Sequence, residues 1–334
     1  MIEIRWNDSV NGRCVFMRPG LAADAPAALE GEGWHGFELI TTERALGVAG
    51  GIAEAAEEVH LVAPGQVPDV SAAILGDVGS EQLVAVGGGR VIDAAKAVAA
   101  VKGGRVAAIP TTLSGAEMTA LHRLPAGHEG LSGVRPALVL ADADLMTSLP
   151  EEHLRASAMN ALAHGADSLY TPLADEASRK NALRGAGLIA TSLDAPPDER
   201  DRGDLALGSL LCAQAVDAAG FAIHHVMSQT TVRVCETPHA ATNAAILPMV
   251  MAEMRRRVRA EIEALAEALG TDSGSLPQRI EELGGGRRGL SEIGADRSCI
   301  EPVLDAAMAR PELEHMTPGV VTRADLARIV DRAW

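Results

Sequence analysis

Four short stretches of this 334-residue chain carry side chains whose types and spacing could do chemistry. In Leu83-Val84-Ala85-Val86-Gly87-Gly88-Gly89-Arg90-Val91-Ile92-Asp93-Ala94-Ala95-Lys96, an apolar strand runs into three glycines and then a helical pattern. Glycines let a backbone approach a ligand closely. A helix N-terminus offers free N–H groups at the positive end of its dipole, so this is a candidate phosphate or pyrophosphate cradle. It departs from the GxGxxG fingerprint at Ile92 and follows a third strand, which leaves a plain tight βα turn as the alternative. Next, Ile109-Pro110-Thr111-Thr112-Leu113-Ser114-Gly115-Ala116-Glu117-Met118-Thr119 lies just past the following strand, where open α/β sheets bind ligands. Its hydroxyls could hold a ribose or carboxamide, or cap a helix with Glu117 as partner. Third, Asn160 and His164 stand at i and i+4, on one face of a helix. Fourth, the pair His224-His225 is followed by His239 in Thr237-Pro238-His239-Ala240. Imidazoles with one oxygen ligand suit Zn²⁺ or Fe²⁺, while a lone helical histidine is commonly a satisfied core residue.

The elements that must position these groups fall into two kinds. Strands are expected at Phe37–Ile40, Val59–Val62, Gln82–Val86, Val106–Ile109 and Ala137–Leu140. Helices are expected at Ala45–Glu58, Val70–Leu75 and Val91–Val101. Strands alternating with helices imply βαβ units and a mostly parallel sheet. Past Pro150 the periodicity is helical throughout, over Glu151–Tyr170, Glu176–Leu193, Asp204–Met227, Ala240–Leu269 and Thr322–Ala333. Loops are expected at Asp194–Arg202 and Gly284–Gly289. The chain therefore reads as an α/β domain over 1–150 and an all-helical domain over 151–334.

Composition narrows the function. Asp and Glu number 45 against 29 Lys and Arg, a formal charge of −16. So acidic a surface repels phosphate backbones and anionic lipid, so neither nucleic acid nor membrane is an expected partner. No apolar run reaches the ~18–20 residues of a membrane helix, and Met1-Ile2-Glu3-Ile4-Arg5 does not start like a signal peptide, so a cytoplasmic protein is the default expectation. The four cysteines, Cys14, Cys212, Cys235 and Cys299, form no CxxC pair and signal neither a disulfide framework nor a thiolate zinc site.

Taken in order, these stretches resemble the iron-containing alcohol dehydrogenase superfamily, related to dehydroquinate synthase and glycerol dehydrogenase, and within it maleylacetate reductases. Arg13-Cys14-Val15-Phe16 is similar to the family's early strand and Ile40-Thr41-Thr42 to its first βα turn. Pro110-Thr111-Thr112 through Gly115-Ala116-Glu117-Met118-Thr119 resembles the reductases' PTTxxGSEMT, with Ala116 for serine. Asp142-Ala143-Asp144-Leu145 with Ser148-Leu149-Pro150 resembles the domain junction. Asn160-Ala161-Leu162-Ala163-His164 resembles their NAIAH, where most alcohol dehydrogenases carry Asp. His224-His225, Pro238-His239-Ala240 and Val321-Thr322-Arg323 also fit.

The resemblance implies the dehydroquinate synthase-like fold, with an α/β dinucleotide-binding domain over 1–150 and an all-α metal and substrate domain over 151–334. It implies hydride transfer from NADH or NADPH to a small oxo acid or enone acid, which in maleylacetate reductases yields 3-oxoadipate, and a homodimer. It places the cofactor on Thr41, Thr42, Gly87, Gly88, Gly89, Asp93, Thr111, Thr112 and Ser114. Catalysis falls to His164, His225 and His239 with Gln229. Any Zn²⁺ or Fe²⁺ falls to Asn160, His164, His225 and His239, a site weakened by the neutral amide. Thr42 stands where an acidic residue often excludes a 2′-phosphate, so the choice of NADH or NADPH stays open. Gln229 replaces a usual histidine, Ala120 to Arg135 lacks the reductases' lysine, and a stretch after the second strand is shortened. Two other classes share the scaffold: a cyclase or lyase that retains its NAD, and a catalytically weak binding homologue.

Overall fold

The computed structural model describes residues 3–8 and 12–334 and divides into two compact units, one ending at Ser148 and the other running Leu149–Trp334. The first holds a seven-stranded sheet of order β1-β2-β7-β6-β5-β3-β4. Its strands are β1 (Ile4–Asp8), β2 (Arg13–Met17), β3 (Glu38–Thr41), β4 (Glu58–Leu61), β5 (Gln82–Gly87), β6 (Arg105–Pro110) and β7 (Leu138–Ala141). Among the described residues only β1 and β2 pair antiparallel.

The central strands are apolar on both faces because both are covered. Ile40, Leu83, Ala85, Val106 and Ala108 point to one side, against Val70, Ile74, Ile92 and Val98. Leu39, Val84, Val86, Ala107 and Ile109 point to the other, against Leu21, Leu29, Trp34 and Ile52. The covering helices are α1 (Ala25–Gly31), α2 (Glu43–Leu46), α3 (Gly50–Ala55), α4 (Val67–Leu75), α5 (Gly89–Lys102) and α6 (Ala143–Met146). The register aligns Thr41 with Val86 and Gly87 with Pro110, so three βα turns open on one edge of the sheet.

The expected helix Ala45–Glu58 is instead two short helices, and Glu58 opens β4. Gly47 caps the first of them and lies in the break, since a glycine costs about 1 kcal/mol in a helix interior, and Gly50 and Gly51 open the second. Strand β1 escaped the pattern because as an edge strand it is half-exposed in alternation.

The second unit contains α7 (Glu151–Ser168), α8 (Glu176–Asp194), α9 (Arg202–Ala219), α10 (Ile223–Cys235), α11 (His239–Met254), α12 (Arg259–Ala268), α13 (Leu276–Leu283), α14 (Ile300–Met308), α15 (Pro311–His315) and α16 (Arg323–Ala333). No strand occurs in it. The expected helix Asp204–Met227 is broken at Gly220, in the left-handed region at φ 71°, and the chain turns by 101° into α10. The expected helix Ala240–Leu269 is interrupted at Arg255–Val258, where Arg257 leaves the helix to donate to Asp325 and to the Val320 carbonyl. No single helix among the described residues is long and apolar enough to cross a membrane.

One cysteine expectation is overturned. Cys235, at the end of α10, is disulfide-bonded to Cys299, the N-cap of α14, with Cα atoms 5.8 Å apart. The partners are separated by 64 residues, so no local spacing signals the pair.

Candidate active site

Two groups of the expected residues are assembled, one in each unit. In the first, the turn after β5 delivers α5. Gly88 is its extended N-cap and no side chain caps the first turn, which leaves N–H groups for an anion. A Cβ on Gly88 would sit 3.1 Å from Thr112 Cγ2, and one on Gly89 would sit 3.0 Å from Ser114 Cβ. Part of the glycine requirement is therefore packing, since the Thr111–Ser114 segment lies directly over the turn. Thr41 Oγ1 is buried and donates to the Val86 carbonyl at 2.8 Å, and Thr42 caps α2 by accepting from the Ala45 N–H. Both threonines thus fix the edge with their hydroxyls.

Lys96, wholly buried, locks this edge together. Its Nζ donates to Asp93 Oδ1 at 2.8 Å, to the Ala116 carbonyl at 3.0 Å and to the Leu121 carbonyl at 2.9 Å, satisfying all three N–H groups. Asp93 thereby answers the lysine. Beneath the same loop Glu117 is fully buried with neither oxygen bonded among the described residues. Burial pushes its carboxyl up to about 7, against the pull of Lys96.

In the second unit, Asn160, His164 and Asp167 stand at i, i+4 and i+7 on α7. Asp167 Oδ2 accepts from His225 Nδ1 at 2.9 Å and from the N–H groups of Ala222 at 2.9 Å and His225 at 3.1 Å. Its Oδ1 accepts from the His224 N–H and the Tyr170 hydroxyl. Burial would raise this carboxyl, but the His225 hydrogen bond and the nearby imidazoles outweigh it and hold it far below the usual range. An ionised Asp167 accepts only, so Nδ1 of His225 carries a proton and Nε2 is the open atom. That Nε2 is buried with no hydrogen-bond partner among the described residues.

The other histidines cluster around it. His164 stacks on His225 with ring centroids 4.9 Å apart and planes 13° apart, and its Nδ1 is likewise unbonded. Burial, then the neighbouring imidazoles of His225, His239 and His224, hold its pKa well below normal. His224 meets His225 edge-on at 5.0 Å, and its Nε2 donates to Asn243 Oδ1, whose amide nitrogen donates to the His239 carbonyl. Burial, with His225 beside it, lowers His224 to about 4. At neutral pH His164 and His224 are therefore neutral flanks. His239 is exposed at the start of α11 but close enough to act electrostatically on both. Gln229, one turn past His225, accepts from Arg310 Nη2 at 3.3 Å.

The donors test a metal poorly. Asn160 is neutral, and His164, His225 and His239 do not form a triad whose ligand atoms lie within 4.8 Å of one another. Among the described residues only Glu38, Glu58 and His60 do, on the adjacent strands β3 and β4. There Glu38 is already committed to His60 and to the Gly79 and Ser80 N–H groups.

Sequence reasoning missed Asp167, Tyr170, Lys96, Glu117 and Arg310 as parts of the site. Asp167 was recoverable, since the α7 face bearing Asn160 and His164 repeats at Asp167. Arg310 carried no signal, because its partner lies 81 residues away.

The family pattern described as Fe-containing alcohol dehydrogenase, C-terminal, matches residues 155–334, and that described as iron-containing alcohol dehydrogenase matches 42–150. Maleylacetate reductase 1 of Rhodococcus opacus is 30% identical over 284 residues, covering 81% of this chain and 78% of its own. The maleylacetate reductase of Pseudomonas aeruginosa is 30% identical over 313 residues, 88% of each chain. The solved iron-containing alcohol dehydrogenase of Corynebacterium glutamicum superposes with a TM-score of 0.84 at 28% identity, over 96% of this chain and 94% of that one. The maleylacetate reductase of Agrobacterium tumefaciens shares the fold at a TM-score of 0.86 and 23% identity, over 100% of this chain and 98% of its own.

Proposed function

The chain belongs to the iron-containing alcohol dehydrogenase family, and from that membership we propose that it reduces a small oxo acid or enone acid of the maleylacetate type. It is an oxidoreductase, similar to maleylacetate reductases, that uses NAD(P)H. The observation that carries the substrate reading is His225, held through Nδ1 by Asp167 with Nε2 left open.

When bound, the reduced nicotinamide supplies a hydride to substrate carbon, and the enzyme must supply one proton. The uncapped start of α5 at Gly88 and Gly89 fits the pyrophosphate, with Thr111, Thr112 and Ser114 beside the ribose and nicotinamide. Thr112 Oγ1 is buried and unbonded among the described residues, as a hydroxyl awaiting a ligand would be. Thr42 carries no charge to repel a 2′-phosphate, so NADPH is accepted alongside NADH. His225 acts as the proton donor: with Nε2 protonated, the Asp167 carboxylate stabilises the imidazolium, and Nε2–H points its proton at the substrate oxygen. Because His164 and His224 are neutral, they shape the pocket without competing for that charge. Gln229, an amide, cannot carry a proton.

Asn160, His164, His225 and His239 do not make a closed cage, so Zn²⁺ or Fe²⁺ is held weakly and no step is assigned to it. Elemental analysis after gentle purification tests this, and one equivalent per chain resisting a chelator would overturn it. A cytoplasmic homodimer completes the reading, with sedimentation as its check. The activity itself is tested by NADH and NADPH oxidation against maleylacetate and a panel of oxo acids. Absence of turnover with every acid would refute the substrate class.

A further inference from the structure

Arg310 lies against the same face of α10 that presents His225, and its hydrogen bonds leave part of it uncommitted. Its Nε donates to Glu312 Oε2 at 3.0 Å, and Nη2 donates to Glu312 Oε1 at 2.8 Å and to Gln229 Oε1 at 3.3 Å. A guanidinium carries five N–H groups in a fixed fork. Both belonging to Nη1 have no partner among the described residues, although the side chain is only 17% exposed. The guanidinium carbon stands 5.9 Å from the Phe221 ring centroid, and that ring stands 5.7 Å from His225. Arg310, Phe221 and His225 thus form one continuous wall: a cation, an apolar spacer and the open imidazole. Arg233, a turn beyond Gln229 on α10, also acts on Glu312.

Resting on the reading of this chain as an oxo-acid reductase, we infer that Arg310 is a specificity-determining residue whose Nη1 edge binds a carboxylate of the substrate, across Phe221 from His225. A planar guanidinium with an open edge recognises a carboxylate better than a neutral carbonyl compound. Glu312 orients the fork and at the same time weakens its hold on a second anion. The substrate is then an anionic oxo acid with its reducible group separated from the bound carboxylate by roughly the width of an aromatic ring, and neutral aldehydes are poor substrates.

Calorimetric titration of adipate, a dicarboxylate that the enzyme cannot reduce, tests this without turnover. Its neutral counterpart adipamide serves as the control. Arg310→Gln should weaken adipate by about tenfold or more, the scale of a lost charge-assisted hydrogen bond, and leave adipamide unchanged. Arg310→Lys should recover part of the loss, as a point charge without the fork. Glu312→Gln should tighten adipate, because the competing carboxylate is gone while the packing stays. The inference is overturned if adipate binds Arg310→Gln as well as wild type, if adipamide weakens in parallel, or if wild type binds no adipate at millimolar concentration. A chain that reduces oxo acids but shows no Arg310 effect would retain its proposed function and lose this site. A chain whose adipate affinity depends on Arg310 but which reduces no oxo acid would do the reverse.

Discussion

Asp167 Oδ2 lies 2.9 Å from His225 Nδ1, and the same carboxylate accepts the first N–H groups of the helix that carries that histidine. One buried charge therefore caps α10 at its positive end and fixes the tautomer of the imidazole four residues into the segment. Fold and chemistry are coupled at this atom, and the helix cannot shift without moving Nε2.

Asp167→Asn keeps the shape and removes the charge. We expect kcat to fall by on the order of 100-fold or more, because the imidazolium loses its stabiliser and the amide can no longer enforce the tautomer. Stability should fall by roughly 2–3 kcal/mol, the scale of a hydrogen bond to a charged group. A structural role alone would lower the melting temperature and leave the pH dependence of kcat in place. A shifted or flattened pH profile is the sign of positioning.

His225→Ala should cost about 100-fold in kcat, while Gln229→Ala should change kcat little. Gln229 is hydrogen-bonded to Arg310, so its loss should appear in KM for anionic substrates. Steady-state kinetics on both variants decide it. An equal loss in kcat would show that the amide takes part in the chemical step.

Glu117 predicts a stability slope on the acid side of neutral. Burial raises its folded pKa to about 7, above the ordinary 4.5, so the native state holds a proton that the unfolded chain has released. Stability is fully present below about 4.5 and declines as pH rises through 7, by roughly 3 kcal/mol in all. Glu117→Gln should flatten that slope, which chemical denaturation at a series of pH values would read. An unchanged slope would assign it to other groups.

Cys299→Ser should lower the stability of the oxidised protein by about 2–4 kcal/mol, as expected for a cross-link closing a loop of this length. The bridge ties the end of α10 to the start of α14 and leaves Asp167 and His225 untouched, so kcat should hold. On the proposed cytoplasmic location, where thiols are kept reduced, thiol titration of freshly isolated protein should find Cys235 and Cys299 free and joined after exposure to oxidant. Loss of activity in the serine variant would place the bridge in the working site.

What could be read without tertiary structure was local in range. Alternating apolar runs located β3, β5 and β6, because burial on both faces leaves a continuous apolar signature, and the glycines after Val86 marked the turn into α5. Helical spacing put Asn160 and His164 on one face, since i and i+4 are neighbours in any α-helix. The same periodicity ran through Gly220 and through Arg255–Val258, because a pattern of apolar residues does not record where a helix bends. Pairings across the chain were decided by packing alone: Asp167 with His225, Lys96 with the Leu121 carbonyl, Cys235 with Cys299, and Gln229 with Arg310. Each joins groups on different elements, and nothing in the spacing of either partner encodes the distance between them. The tautomer of His225, the neutrality of His164 and the raised pKa of Glu117 follow from those meetings, since desolvation and hydrogen bonding exist only once the helices and loops have come together.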